Sequence, residues 1–337
     1  MEKKVRKSGY FVVSLDFELF WGMADKYTLK EYGENVRGVR TALPRILELF
    51  TKYDIHATWA TVGMLMAHSH EELRALMPPQ NLRPTYSDPR MSSYHYIEET
   101  HIGKSESDDV YHYGSSLVEL ILKTRHQELA NHTFSHMYIL DGNTNMSEVL
   151  AHDLDLHASI SNTYNTKTTS IVFPRNQVNA EALRMCFKKG MTAYRGNENH
   201  ILYSARTERE QSLVIRAFRL LDHYINISGH HTYPLPSQVD GLPRNIPSSQ
   251  FLRPFMSLLS FLEPLRMYRI KSSMTHAAKR GEIFHLWWHP HNFGINQEQN
   301  FKNLTTLLEH YKKLQTQYGM RSTSMRDIIT IVDESTA

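Results

Sequence analysis

Short apolar runs alternate along the chain with segments whose apolar residues recur every three or four positions. The apolar runs are typical of buried strands, and they cover residues 10–16, 56–63, 127–133, 169–173 and 282–290. The helical pattern covers residues 36–53, 116–123, 147–160, 179–190 and 300–315. Repeated strand and helix units of this kind predict an α/β fold, either a parallel (β/α) barrel or a doubly wound sheet.

Two segments follow neither pattern. Residues 77–113 and 222–254 are rich in proline and polar residues, and they predict long loop insertions over the strand ends. No internal repeat divides the chain, so we expect one domain over residues 1–337 with these two insertions. In the predicted helix 36–53, Pro44 indicates a kink or a new start.

The composition is that of a globular protein. Of the 337 residues, 41% are hydrophobic and 22% are charged, which is enough apolar material to bury a core. The formal net charge of +3 comes from scattered Lys and Arg residues, so nucleic acid is not an expected partner. Cys186 is the only cysteine, which excludes an internal disulfide and a cysteine-rich zinc site.

The first residues need separate attention because a basic start and an apolar run imitate a secretion signal. The run is only as long as a strand, and it ends at Asp16 and Glu18 without a convincing cleavage site. No later segment approaches the roughly 20 apolar residues of a membrane span. We therefore expect a cytoplasmic protein without a membrane span.

Candidate chemistry falls at the predicted ends of three strands. Asp16 and Glu18 are two apart after the first run, so both point to one face of a strand. His132 and His136 are four apart after another run, and both can reach one metal ion if the backbone turns helically. Each pair by itself also fits a structural role, as acids at a strand end or as ordinary histidines.

The third stretch contains His285, His289 and His291, which alternate along the strand predicted for residues 282–290 and its end. A histidine at this place can donate a proton or serve as a structural hydrogen-bond partner. Together, however, one carboxylate and two histidines would form a three-ligand metal site with positions left for water. A second carboxylate and a further histidine would then supply a base and an acid.

Five segments of the chain resemble the motifs of the polysaccharide deacetylase family, also called NodB-homology or carbohydrate esterase family 4. "SLDFE" is similar to the family's aspartate motif, and "ELANHTFSH" closely matches its metal motif H-[ST]-x-x-H. "ATWATVG", "FPRNQ" and "LWWH" resemble the other three motifs, in the family's order. The matches span residues 10–291, so the resemblance covers most of the chain.

The resemblance implies a distorted (β/α) barrel of about seven strands that holds a divalent metal, usually zinc. By motif position, the metal ligands would be Glu18, His132 and His136. Asp16 would be the general base and His289 the general acid, and Arg175 would hold Asp16 by a charge-assisted hydrogen bond.

The sequence departs from the family at two of these positions. The acids read Asp-Phe-Glu instead of two adjacent aspartates, which leaves open how Asp16 and Glu18 divide their roles. The arginine follows the proline of its motif instead of preceding it, so Arg195 is the alternative partner of Asp16.

The function that this resemblance implies is a metal-dependent hydrolase that removes an acetyl or formyl group from the nitrogen of a sugar, in surface polysaccharide biosynthesis. The expected partner is an N-acylated sugar or a sugar-containing precursor. Trp21, Trp287 and Trp288 could line a sugar-sized cleft, although we expect at least one of Trp287 and Trp288 to be buried in the core. The alternatives are a hydrolase of a non-sugar C–N bond on the same scaffold, an inactive carbohydrate-binding barrel and a metal-free structural barrel.

Overall fold

The computed structural model describes residues 8–142, 145–204, 207 and 213–336. It contains nine strands in these residues: β1 Tyr10–Phe17, β2 Ala57–Thr61, β3 Gln127–Asn131, β4 Ser170–Ile171, β5 Ala193–Tyr194, β6 Arg244–Asn245, β7 Gln250–Phe251, β8 Ile283–Trp288 and β9 Arg321–Thr323. The α-helices in the described residues are α1 Leu29–Arg37, α2 Val39–Tyr53, α3 His70–Ala75, α4 Ser93–Glu99, α5 Ser115–Lys123, α6 Met146–Thr163, α7 Ala180–Lys188, α8 Leu213–Asp222, α9 Glu263–Arg280, α10 Gln297–Tyr318 and α11 Met325–Thr336.

The strands form one parallel sheet in the order β6-β5-β4-β3-β2-β1-β8-β7. β1 is the central strand, and all eight of its residues are buried. Its first three residues pair with β9, and its last five pair with β2. Because the strands are parallel, their carboxyl ends lie at the same end of the sheet, where side chains from distant segments can meet.

The connection between β6 and β7 brings the two edges of the sheet together. The backbone N–H of Ser248 donates to the carbonyl of Gly196 after β5, and the N–H of Ser249 donates to the carbonyl of His285 in β8. One short segment is therefore bonded to both edges, which curls the sheet into a distorted barrel. The predicted (β/α) barrel is confirmed by this arrangement of parallel strands and surrounding helices.

Most of the apolar runs and helical patterns correspond to elements of the structure, but one boundary differs. The predicted helix 36–53 is divided at Gly38, between α1 and α2, and not at Pro44, which lies inside α2. A Cβ atom at Gly38 would lie 2.0 Å from the carbonyl oxygen of Gly294. The break therefore occurs where only glycine allows two backbone segments to approach.

The core lies between the sheet and the helices, and large aromatic residues fill it. Trp59 in β2 and Trp288 in β8 are fully buried, and the ring of Phe50 from α2 contacts both. Cys186 is also fully buried, as expected for a small apolar residue in a helix. In the part of the chain that the structure describes, no helix combines the length and apolar character that a membrane span needs.

Candidate active site

The candidate residues from β1, β3 and β8 meet at the carboxyl end of the barrel. Glu18 follows β1, His132 follows β3, and His289 follows β8. Glu18, His132 and His136 form the first group, which we call the ligand triad. The Oε1 atom of Glu18 lies 3.1 Å from Nε2 of His132 and 3.3 Å from Nε2 of His136.

The ligand triad has the donor chemistry and the geometry of a divalent metal site. Its three ligand atoms lie within 4.8 Å of one another. The Nδ1 atom of His132 is 2.8 Å from the carbonyl oxygen of Val172 and donates to it, which leaves Nε2 free to act as a ligand. The Oε2 atom of Glu18 is buried and makes no hydrogen bond to any residue that the structure describes. An acid and two histidines with an orphaned carboxylate oxygen fit a divalent metal such as zinc.

The protonation states also suit a ligand role. Burial lowers the pKa of His136 and outweighs the opposing effect of the Glu18 carboxylate, so this imidazole tends to be neutral. For Glu18, burial alone would raise the pKa. The charges of His289 and His136 and the hydrogen bonds from His132 and His136 outweigh burial and hold that pKa well below its usual range. A neutral imidazole and an ionised carboxylate are the forms that bind metals.

A tight turn, and not a helix, brings the two histidines together. Thr133 and His136 have positive φ angles of 60° and 55°. The turn is held by Asp153 of α6, which accepts hydrogen bonds from the backbone N–H groups of Phe134 at 2.6 Å and Ser135 at 3.1 Å. The strained backbone is thus supported by a buried carboxylate on the neighbouring helix.

Asp16 lies beside the ligand triad and is paired with Arg195. The guanidinium group of Arg195 donates to both carboxylate oxygens of Asp16 at 2.7 Å, and it also donates to Ser14 and Asn176. Burial raises the pKa of Asp16, but the charges of Arg195 and His132 outweigh it, so the pKa is lowered overall. Asp16 is therefore held as an oriented carboxylate.

The expectation that Arg175 holds Asp16 is corrected by these contacts. Arg175 donates to the carboxylate of Asp25, and its guanidinium group lies 4.1 Å from the ring centroid of Tyr138. The arginine that binds Asp16 is instead Arg195, in the loop after β5. In this chain, where the proline precedes the arginine in "FPRN", Arg195 takes the place next to Asp16 that was expected for Arg175.

His289 lies close to both acids. Its Nε2 atom lies 3.5 Å from Oε1 of Glu18 and 3.8 Å from Oδ2 of Asp16. Burial would lower the pKa of His289, but the charges of Glu18 and Asp16 outweigh it and raise the pKa. His291 stacks on His289 with ring centroids 4.8 Å apart, whereas His285 bonds to Ser14 deeper in the barrel.

Asp16, Glu18, His136 and His289 line one side of a cavity of about 680 Å³. Its aromatic walls are formed by Trp287, Phe251 and Tyr203. Of the three tryptophans expected at a cleft, Trp287 is the one that lines the cavity. Trp288 is fully buried in the core, and Trp21 is buried and donates its indole N–H to the carbonyl of His112.

Sequence reasoning missed the residues that support the site from other segments. Gly22 is one example, because a Cβ atom there would lie only 2.0 Å from Oε2 of Glu18. Asp153 is another, since it belongs to no recognised motif, and Asn176 lies in the "FPRNQ" motif but was assigned no role there. A second possible metal group, Asp54, His56 and His126, lies before β2 and β3 at the opposite end of the barrel, and it is partly exposed.

The chain folds as a parallel-stranded barrel of the kind found in solved structures of polysaccharide deacetylases. Residues 37–194 match the polysaccharide deacetylase family, which confirms the resemblance carried by the motifs. This region contains the two histidines of the ligand triad, whereas Asp16 and Glu18 precede it.

Solved structures show the same fold at low sequence identity. A protein described as a polysaccharide deacetylase from Mycobacterium smegmatis aligns with a TM-score of 0.60 at 11% identity, over 100% of this chain and 94% of that chain. One so described from Pseudomonas aeruginosa PAO1 gives a TM-score of 0.53 at 11% identity, over 95% and 89%. An allantoinase gives a TM-score of 0.52 at 11% identity, over 96% and 88%. No curated protein matches the sequence significantly.

Proposed function

We propose that the protein is a metal-dependent deacylase that hydrolyses the N-acetyl or N-formyl amide of a sugar, in the biosynthesis of surface polysaccharide. The observation that carries this proposal is that Asp16, Glu18 and His289 lie together in the lining of one cavity, with Nε2 of His289 3.5 Å from Glu18 and 3.8 Å from Asp16. An oriented carboxylate and an imidazole beside a metal-ligand group are the parts that amide hydrolysis requires.

Glu18, His132 and His136 would hold the metal, and zinc suits one carboxylate and two imidazoles. When bound, such an ion lowers the pKa of water and polarises the acyl oxygen of the substrate. The chain's contribution is to orient the ligands. It does so through the hydrogen bond from His132 to the carbonyl of Val172, and through Asp153, which holds the turn that carries His136.

Asp16 is proposed to accept the proton of the attacking water. Arg195 keeps this carboxylate ionised and fixes its plane by a bidentate pair. Because Ser14 and Asn176 fix the guanidinium group in turn, the carboxylate has little freedom to rotate. Because the folded protein already orients this base, no further entropy is lost in orienting it during the reaction.

His289 is proposed to donate a proton to the departing amine as the C–N bond breaks. An amine anion is a very poor leaving group, so this proton must arrive at the nitrogen before the bond is fully broken. The raised pKa of His289 favours the protonated form that this step uses. The products are then a free amine on the sugar and a carboxylate from the acyl group.

The cavity walls support a sugar as the substrate. The ring of Trp287 lies 4.6 Å from that of Phe251 by centroids, and 5.7 Å from that of His289. An aromatic face beside the proton donor is a common way to bind the apolar face of a sugar ring. A hydrolase of a non-sugar C–N bond remains the second candidate, which the fold shared with an allantoinase favours.

The test is acetate or formate release from a panel of N-acetylated and N-formylated sugars and non-sugar amides. The purified protein is loaded in turn with zinc, cobalt, nickel or manganese. We expect release from at least one acyl sugar, and loss of release in the His132→Ala variant. Release from non-sugar amides alone would support the second candidate. Sugar binding without release under every metal would favour an inactive carbohydrate-binding barrel.

A further inference from the structure

The outer side of α9, and of the 3-10 helix Ser257–Leu262 before it, carries a row of exposed apolar residues. Leu258, Phe261 and Tyr268 are 82%, 73% and 71% exposed, and Leu265 is 48% exposed. We call these four residues the apolar stripe. Their spacings of three and four place them on one side of the helical segment. Apolar side chains that are exposed singly are ordinary, but a row of large ones marks a surface that contacts another molecule.

The apolar stripe is not part of the hydrophobic core. The opposite face of α9 is the one that packs on the barrel, through the buried residues Met267, Ile270, Met274 and Ala277. These residues belong to the same hydrophobic cluster as the central strand β1. α9 is therefore held in place without the stripe, whose apolar surface stays in contact with water. Only a contact outside the chain would bury it.

The same side of α9 becomes cationic in the second half of the helix. Ser272, His276 and Lys279 continue the spacing of three and four from Tyr268. Lys271 and Lys279 line a pocket of about 370 Å³ together with three histidines and three hydroxyl side chains. None of these lining residues is acidic, and no acid in the described part of the chain forms an ion pair with either lysine. The pocket is therefore suited to an anion.

The positive charge of this pocket comes mainly from the lysines. His230 and His276 stack with ring centroids 4.5 Å apart, and Nδ1 of His230 lies 3.1 Å from the hydroxyl of Ser273. Burial, followed by the charge of His276, lowers the pKa of His230, and burial lowers the pKa of His310. These two imidazoles are thus neutral at neutral pH. The two lysine side chains are therefore the groups that would attract an anion.

From the apolar stripe and this pocket we infer that α9 lies flat on a membrane that contains anionic lipids. The apolar stripe enters the boundary between headgroups and acyl chains, and Lys271 and Lys279 contact lipid phosphates. Apolar and aromatic residues beside basic ones on an exposed helix are the pattern of an interfacial helix. Tyr268, between the two parts, has an apolar ring and a polar hydroxyl, which suit this boundary. A lipid surface accounts for both parts with one partner, because its phosphates lie next to its acyl chains.

The apolar stripe lies toward the end of the barrel that holds the active-site cavity. α9 runs from the carboxyl end of β7 to the amino end of β8, and these strands are parallel, so its first half is nearer the cavity end. Phe251 and Arg253, which line the cavity, come shortly before Leu258 in the chain. Membrane contact through α9 therefore brings the cavity close to the lipid surface. The contact itself requires no step of the proposed reaction, so it can be tested without turnover.

The experiment measures co-sedimentation of the whole chain with lipid vesicles. Vesicles of phosphatidylcholine alone are compared with vesicles that also contain phosphatidylglycerol, in low and in high salt. We expect binding to the anionic vesicles that weakens in high salt, because ions screen the lysines. Phe261→Ser should lower the partition coefficient about tenfold, the scale of burying an aromatic side chain. Lys271→Gln combined with Lys279→Gln should lower it about 25-fold, a factor of about five for each lysine.

Each variant has a matched control elsewhere on the surface. Phe187→Ser replaces a phenylalanine that is 42% exposed on α7. Lys52→Gln combined with Lys123→Gln removes two exposed lysines, from α2 and α5. Both controls should bind anionic vesicles as the parent protein does. Unchanged unfolding midpoints would show that all the variants remain folded.

Loss of vesicle binding in Phe261→Ser and in the variant without Lys271 and Lys279, but in neither control, would support the membrane surface. Equal loss in the controls would mean that general charge or hydrophobicity drives binding, which overturns the inference. Equal binding to neutral and anionic vesicles would also overturn it, because the lysines would then have no part.

Absence of vesicle binding overturns the inference as well, and two further measurements then show what the surface contacts. Sedimentation equilibrium of the parent protein and Phe261→Ser tests a second copy of the chain, which would appear as a dimer that the variant loses. Titration with glycerol 1-phosphate tests the pocket alone. Binding of this probe that depends on Lys271, without binding to vesicles, would leave a site for a small anion only.

Discussion

Both carboxylate oxygens of Asp16 accept hydrogen bonds from the guanidinium group of Arg195, each at 2.7 Å. The two residues are 179 positions apart, and both are buried. The guanidinium group is itself covered by the ring of Trp287, whose centroid is 4.2 Å from Cζ. The position of the proposed base is therefore set by a residue from the far side of the barrel.

Replacing Arg195 by lysine tests whether this pair matters for catalysis. Lysine keeps the positive charge but cannot form the bidentate pair, so Asp16 should lose its fixed orientation. We expect kcat to fall by about 100-fold, which is the scale of a misplaced catalytic group, with metal content unchanged. Arg45→Lys is the control for a change of the same kind at the surface. If kcat were unchanged in Arg195→Lys but lost in Arg175→Lys, Arg175 and not Arg195 would be the residue that orients Asp16.

Removal of a triad histidine should remove the metal. In His132→Ala or His136→Ala, two ligands remain, which is too few for a stable zinc site in protein. We expect metal content, measured by mass spectrometry after dialysis, to fall from about one ion per chain to a trace. The control is His310→Ala, because His310 bonds to Thr275 and lies outside the triad. Full occupancy in both triad variants would show that the ligand assignment is wrong.

A methyl group at Gly22 should disturb the metal site although no ligand is replaced. In Gly22→Ala, the new Cβ atom would lie 2.0 Å from Oε2 of Glu18, so the carboxylate has to move. We expect metal affinity to fall at least tenfold, as for other changes that reorient a ligand. Gly33→Ala is the matched control, since the nearest atom to its Cβ atom would be in the Tyr111 side chain, at 3.2 Å. Equal metal affinity in the two variants would contradict this account of Gly22.

The two proton-transfer roles predict losses of turnover without loss of metal. Asp16→Asn cannot accept a proton, and His289→Ala cannot donate one. Each should lower kcat by about 10²–10⁴, the usual contribution of a positioned acid or base. The loss in His289→Ala should be greatest for substrates with the most basic leaving amines. If Asp16→Asn lost the metal while Glu18→Gln kept it, the roles of the two carboxylates would be reversed.

Asp109, in the segment of residues 77–113, is expected to make a pH-dependent contribution to stability. Burial raises the pKa of this carboxyl, but the hydrogen bond and charge of His112 and the N–H groups of Gly103 and Tyr111 outweigh it and lower the pKa to about 2. The usual value is 3.8, so the folded state favours the ionised form. This contribution is fully present above about pH 4 and is lost as the pH falls through about 2.

We therefore expect Asp109→Asn to lower the free energy of unfolding by about 2 kcal/mol near neutral pH. Denaturant titrations between pH 2 and pH 7 measure the difference from the parent protein, which should shrink as the pH falls below about 4. Asp108→Asn is the control, because Asp108 is the exposed neighbour in the same loop. A difference that grows toward low pH would have the wrong sign for an ionised Asp109.

The sequence by itself determined the features that depend on neighbouring residues. The apolar run at the start of β1 indicates a buried strand, and the spacing of His132 and His136 indicates that both can reach one metal ion. Both signals are local, because a strand, a helix or a short turn places residues a few positions apart at a known distance. This is why the central strands and the amphipathic helices were predicted with nearly correct bounds.

Only the tertiary structure decided how distant segments complete the site. β5, β6 and β7 have two residues each, too few for any periodicity, and α9 was not predicted either. Yet β5 leads into Arg195, and the segment of β6 and β7 closes the barrel and precedes Arg253. The choice between Arg175 and Arg195 depends on which guanidinium group reaches Asp16 through space. The distance from each guanidinium group to Asp16 follows from the curvature of the whole sheet, which no local pattern of side chains encodes.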